Sequence, residues 1–498
     1  MPTKGTTFEA FLSQYPLKPV HDYTFLGTEN SIEKPRVSYE GKIEGWFDPS
    51  AQVPWVKESQ KAGSFDVELV DGYLPALRYA YRNPGSTETC EMTAFAADGE
   101  APGAIFVCVR LVEKPTGKTQ YLRLKDQKPL DAAAFDSESQ KLRDHWNEFF
   151  KKGAVPKCDD AMLLNACKAS LVRGLITFTG RHSHYGLGTY AQKQHDGFPP
   201  TILALTNCLL DWGQTDLARE YLMYYFEHFV KDDGRFNYYG PSLAEYGQML
   251  SLVRRLSDAG KDRGWLPTIR PKLEQMSDGF RTGLAKSQTG LLAGVPEADT
   301  RDQIEVYFHN NAWLWRGLRD IAPVLGRQDE ERCEKFRKCI LDAIEAVTDR
   351  SVAPPFIPPV ARKVAPFKSM VQDGFASYTN YRYWLELLSS GILAKEQAEA
   401  IIQYRVTHDG EVGGMTHFSK QADNWPIAEY ASALLALGRA DACRNVLYSH
   451  LAGHVTPGTW SAYEQVSIVG NPYRKMAADY CVPSQLVAPR LLAWLSGK

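Results

Sequence analysis

Glu464 stands in the stretch Gly458-Thr459-Trp460-Ser461-Ala462-Tyr463-Glu464-Gln465-Val466, a carboxylate among aromatics and small polar residues just past Pro457. A carboxylate in such company is suited to general-base work; the plain alternative is a glutamate satisfied within the fold. Further candidates are scattered along the chain in short clusters rich in aromatics, glycine and histidine. His195 and Asp196 follow His182 and His184, and Arg235 and Tyr239 precede Glu245. Glu297 and Asp299 precede His309 and Asn310, and Trp425 follows Asp423. No His-x-x-x-His pair with a nearby acid lies on a helix, so the histidines are not read as a metal site and no cofactor is expected.

These clusters sit between helices. From about residue 158 the pattern is helical, with expected helices at 159–178, 198–212, 214–231, 242–259, 267–285, 306–324, 329–349, 375–391, 395–405, 425–437, 440–453 and 483–497, and a short one near 460–468. Some turns are short and plain, such as Trp212-Gly213-Gln214-Thr215, where Gly ends one helix and a small polar residue opens the next. The alternate connections, 180–197, 232–245, 286–311, 351–381, 406–425 and 454–465, are long and carry the candidate residues. No fixed-length repeat supports a solenoid. Paired helices then suggest a closed double ring, whose six long connections would gather on one face and build a pocket there.

The first 135 residues differ. Short apolar or alternating segments, such as Phe65–Val70, Ala76–Tyr81 and Ala104–Leu111, are divided by Asp-Gly, Asn-Pro-Gly and Pro-Thr-Gly turns. They predict an antiparallel β-sandwich over 1–135. A linker helix follows over 136–157, with Leu142, Trp146, Phe149 and Phe150 on one stripe, and an (α/α)6 barrel over 158–498. The expected class is α+β and multidomain.

Composition sets bounds on partners. The chain has 498 residues, is 44% hydrophobic and 23% charged, and carries a formal net charge of −2. That balance gives no electrostatic case for nucleic acid or an anionic membrane. No apolar run is long enough to span a bilayer, and the first residues lack a signal-peptide pattern. Nine scattered cysteines without Cys-x-x-Cys pairs argue against a disulfide framework or a zinc site, so a reducing compartment is the default unless a leader has been removed. The 25 Tyr and 11 Trp suit sugar recognition, in which C–H faces stack on rings and phenol or indole groups bond hydroxyls.

Three local patterns resemble the six-hairpin glycosidase superfamily, in particular the glucoamylase-type enzymes with an N-terminal sheet domain. They are His195-Asp196-Gly197-Phe198 ahead of an apolar helix, Glu297 twelve residues before His309-Asn310-Asn311-Ala312-Trp313, and Tyr463-Glu464-Gln465-Val466 in the last connection. Departures are Pro296 where the family has Trp before its acid, and His195 where it has Arg. The resemblance implies an exo-acting glycoside hydrolase, inverting by single displacement, on an oligo- or polysaccharide. It casts Glu297 as general acid, with Asp299 as competitor, and Glu464 as the base that activates water. Asp196, His195, Glu245, Arg235, Tyr239, His309, Asn310, Trp425, Trp460 and Tyr463 would hold the sugar. Two other readings stay open: a polysaccharide lyase acting by β-elimination at a uronate, and a carbohydrate-binding protein without catalysis.

Overall fold

The structure is a computed structural model describing residues 2, 5–15, 23–126, 128–187, 195–238, 242–260, 262–297, 299, 303–468 and 480–497. Twelve helical stretches follow one another as hairpins. Six of them, Pro199–Asp211, Leu243–Ala259, Phe308–Ile321, the run 374–389, Ile427–Ala436 and the run 482–495, are buried over most of their length. Each touches the next, and the last touches the first, so they close an inner ring. The other six alternate with them on the outside. Their sequences show why: Glu330–Val347 buries only Cys333, Phe336, Ile340 and Ile344, one stripe at helical spacing, and turns its charged remainder to water. Leu266–Lys286 does the same with Ile269, Leu273, Met276 and Ser277. The result is an (α/α)6 barrel.

Two inner helices meet at unusual proximity. A Cβ built on Gly247 would stand 2.1 Å from the carbonyl oxygen of Trp313, and one built on Gly317 would stand 2.4 Å from that of Gly247. Only glycine lets these two backbones touch. Another inner helix is irregular. Gly374–Tyr378 runs into a π-helical turn, Thr379–Tyr383, before regular geometry resumes at Trp384–Ser389. Such turns rotate side chains out of helical register and recur at functional sites; here all five residues of the turn are buried.

The N-terminal region is simpler than the sandwich expected of it. Strands Phe65–Leu69, Ala76–Arg82, Thr89–Asp98, Ile105–Lys114 and Thr119–Leu124 form one antiparallel meander in chain order. One face, with Leu77, Tyr79, Met92, Val107 and Val109, joins the same continuous core as the barrel. On the other face Ala76, Phe95, Phe106 and Cys108 meet Phe135 of the helix Ala132–Lys152. That helix takes a place the sequence reading gave to a second sheet. Among the described residues only the ribbon Tyr23–Phe25 with Arg36–Ser38 adds further strands in this region.

The described parts of the six long connections that adjoin the inner helices lie at the N-terminal ends of those helices. The stretch 460–468 forms strands Ser461–Ala462 and Gln465–Ser467 in place of the expected short helix, because it pairs with neighbours. Gln465–Ser467 adds to Gln421–Asp423, itself beside Met415–Phe418, in a small antiparallel sheet. All nine cysteines are free thiols. Among the described residues no helix is long and apolar enough to cross a membrane.

Candidate active site at the mouth of the helical ring

The π-helical turn delivers Arg382 to the ring axis. Its side chain is fully buried and donates to three carboxylates from three segments: Glu245, Glu297 at 2.5 Å and Glu386 at 2.8 Å. The guanidinium also lies over the Trp425 ring, 5.2 Å from its centroid. Three buried carboxyls around one cation carry surplus negative charge, and this cluster keeps a proton. Burial first, and the neighbouring Glu245 charge, push the Glu386 carboxyl up to about 8 against the pull of Arg382.

The residues before the third inner helix hold this layer in place. Asn310 accepts from the amide of Ala244 at 3.0 Å and donates to the carbonyl of Val295 at 2.8 Å. It thereby ties the residue before Glu245 to the segment that leads to Glu297. Asn311 bonds both backbone groups of Leu292 at 2.9 Å, and His309 bonds the carbonyl of Pro296 at 2.9 Å. His309 is stacked on Tyr383 and fully buried, and that burial lowers its pKa to about 3. The His-Asn-Asn triplet positions the Glu297 segment: His309 Nε2 and the amides of Asn310 and Asn311 bond backbone, and His309 and Asn310, both buried, are placed to hold that segment where a sugar contact was expected.

On the facing side stand Asp423 and Glu464. Strand pairing aligns Asp423 with Gln465, whose amide donates to Asp423 at 2.9 Å. Asp423 is buried, and its carboxyl is held well above the usual range, first by burial and then by the negative charge of Glu464. Asp423, Glu464 and Glu297 all lie near enough to act on the hydroxyl of Tyr381, which is raised mainly by burial. Glu464 is half-buried where Asp423 is sealed.

Aromatic rings line the approach. Phe198 meets Tyr185, His195, Tyr238 and Trp425, and Trp425 meets Tyr381, which meets Phe418 and Tyr378. His195 Nδ1 is 2.7 Å from the Tyr238 hydroxyl. Its pKa is lowered by burial and partly restored by Asp299, which puts Asp299 beside the first connection. Beneath the Arg382 layer the ring encloses an axial cavity of about 270 Å³, lined among others by Arg255, Arg316 and Arg490. Each of these arginines already faces a carboxylate, respectively Asp211, Asp320 and Glu429.

Of the residues expected at the site, Glu245, Glu297, Glu464, Asp299, His195 and Trp425 come together at this mouth. Four others are placed differently. Arg235 is exposed and pairs with Asp233 of its own turn. Trp460 is buried against Phe8, and Tyr463 is buried with its hydroxyl on the Tyr23 carbonyl, so both act as anchors where stacking platforms were expected. Asp196 is engaged by His182, whose Nε2 is 2.7 Å from Oδ1. Tyr239 lies outside the described residues. Sequence reasoning passed over Arg382 and Glu386, and named Asp423 in its cluster without giving it a role. The signal for Arg382 and Glu386 was present: they stand four apart in an otherwise uncharged inner helix, where unpaired charge is untenable.

The anchors of Glu464 reach far along the chain. Thr24 and Ser461 hydroxyls are 2.9 Å apart, the Leu69 amide donates to the Gly458 carbonyl at 3.0 Å, and Arg173 donates to that of Thr459. Gly458 has φ +91°, and a Cβ there would strike the Val67 carbonyl; Trp460 also has positive φ, at 51°. The connection is drawn tight onto the sheet domain.

No protein-family model and no curated protein matches the chain. Solved structures of similar fold include a bacterial glucoamylase complexed with acarbose, with TM-score 0.49 and 10% identity over 95% of this chain and 85% of that one. A rhamnosidase from Klebsiella oxytoca with rhamnose bound gives 0.45 and 10% over 98% of each chain. An unsaturated glucuronyl hydrolase specific for heparin gives 0.44 and 11% over 66% of this chain and 95% of that one. Each of these likenesses is at low sequence identity.

Proposed function

We propose that the protein is a glycoside hydrolase that removes a terminal sugar from an oligo- or polysaccharide by single displacement. The observation that carries this reading is the convergence of Glu297, Asp423 and Glu464, from three different connections, at one aromatic-lined mouth. Glycosidic cleavage needs one carboxyl to protonate the leaving oxygen and another to activate water. Glu464, the less buried of the two, is suited to be the base. The charge of Glu464 helps to hold the Asp423 carboxyl above its usual range. Glu297, bound to Arg382 at the buried layer, is assigned as the acid. The sealed Arg382 layer forms a floor under the mouth; a blind pocket favours attack at a chain end, hence exo action. Trp425, half-buried, offers a ring to the sugar, backed by the buried rings of Phe198 and Tyr381.

A second assignment has support in the raised carboxyl of Asp423, which would make that residue the proton donor. The two are told apart with aryl glycosides whose leaving group departs without protonation. The acid-lacking variant keeps its activity on such substrates and loses it on natural ones, and either Glu297→Gln or Asp423→Asn will show that split. Glu464→Gln should lose both, by about 10²–10⁴-fold. Proton NMR of the first-released anomer reads inversion or retention. The elimination reading retains a Tyr238–His195 pair, but His309 and Asn310 are committed to backbone. An ultraviolet-absorbing unsaturated product would replace hydrolysis by elimination. Full retention of activity in Glu464→Gln would end the hydrolase assignment.

A further inference from the structure

We propose that His182, His184 and Asp196 form a binding site for one divalent first-row transition-metal ion, with zinc as its natural occupant. The inference does not rest on the hydrolase reading. The first connection folds back so that Asp196 returns to the His-x-His segment: His182 Nε2 is 2.7 Å and His184 Nδ1 3.8 Å from Asp196 Oδ1. One donor atom from each residue lies within 4.8 Å of the others. In a tetrahedral zinc site with bonds near 2.0–2.1 Å the ligand atoms stand about 3.3 Å apart, so small side-chain rotations close the set.

Three features go beyond proximity. His184 Nδ1 is buried and makes no hydrogen bond among the described residues, a polar atom left for something to satisfy. His182 Nδ1 lies 3.2 Å from the Tyr224 hydroxyl; ligating imidazoles habitually bond an outer partner through the second nitrogen, which fixes ring orientation. Phe229 packs on the His182 ring and restrains it further. Two imidazoles and one carboxylate exclude Mg²⁺ and Ca²⁺ as preferred ions and suit zinc, with a fourth position for water. Lys34 is the cation whose charge reaches His184, and it is itself lowered to about 7 by burial, which limits its opposition to a metal.

The test is calorimetric titration of the chelator-stripped full chain with ZnCl₂. One equivalent should bind. Asp196→Asn, which preserves shape and can still accept from His182, and His184→Gln should each abolish stoichiometric binding. Tyr224→Phe should weaken it about 10–100-fold. The Co²⁺-loaded wild type should show the intense visible bands of a four-coordinate nitrogen–oxygen site. Absence of stoichiometric zinc binding by the wild type, binding unchanged in both ligand variants, or a pale octahedral Co²⁺ spectrum would each overturn the proposal. The spectrum decides if a variant fails to fold.

Discussion

Replacing Arg382 by Met keeps the volume of a buried side chain and deletes its charge. Three carboxylates, Glu245, Glu297 and Glu386, lose their shared donor while staying 0%, 5% and 2% exposed. Breaking one buried ion pair by removing a partner costs about 3–5 kcal/mol, and losing the stack on Trp425 adds roughly 0.5–2 kcal/mol. Set against a typical total of about 5–15 kcal/mol, the loss approaches the whole stability of the fold. The pH dependence is diagnostic. Without the guanidinium, the native carboxyls titrate above their unfolded values, so their contribution is full below about pH 4 and is lost as pH rises. The deficit in urea unfolding should therefore be larger at pH 8 than at pH 5. Adding Glu245→Gln and Glu386→Gln to Arg382→Met should recover much of the loss, because fewer charges remain to be desolvated. A deficit below about 1 kcal/mol, in the range of an exposed ion pair, or one equal at both pH values, would refute the idea that Arg382 neutralises this layer.

Gly247→Ala should destabilise the protein by at least ~1–3 kcal/mol, as for overpacking elsewhere, since its Cβ would meet main-chain atoms of the adjoining helix; thermal unfolding checks this. Asn310→Ala orphans the Ala244 amide and the Val295 carbonyl, about 1–3 kcal/mol each, and should lower kcat by loosening Glu245 and Glu297 together. Asp423, raised in the native state, contributes stability that is lost as pH rises above its unfolded range near 4. Asp423→Asn should therefore flatten the decline of urea midpoints between pH 5 and pH 8, leaving the share due to Glu386.

The ring was legible because its inner and outer helices differ in pattern: Pro199–Asp211 is apolar throughout, and Glu330–Val347 is striped. Glycine and polar caps marked the short turns, and the boundaries followed. The second sheet of the N-terminal region was not legible, since the strand pattern of a meander covered by one helix matches that of a sandwich half. Within the site, the expectation for Glu297 and Glu464 rested on local motif. Arg382 escaped notice because its three partners come from Glu245, Glu297 and Glu386, two of them more than 80 residues away, and pairing across such spans leaves no local trace. Trp460 and Tyr463 were misassigned for the converse reason. Aromatics beside a candidate base read as platforms, and only the N-terminal segment that covers them turns them into anchors.

The tethering of the Glu464 connection to Tyr23, Thr24 and Leu69 bears on assembly order. The candidate base belongs to the last of six hairpins, yet its seat is made by segments more than 390 residues earlier. Closing a loop of that length carries an entropic cost that grows only slowly with span, but slow search favours late formation. The helical ring would be largely built before the mouth acquires its water-activating group. Deleting the sheet region would then leave a folded ring with an unseated base, and linking the two ends into a circular permutant opened at a short outer turn would bring the partners together early.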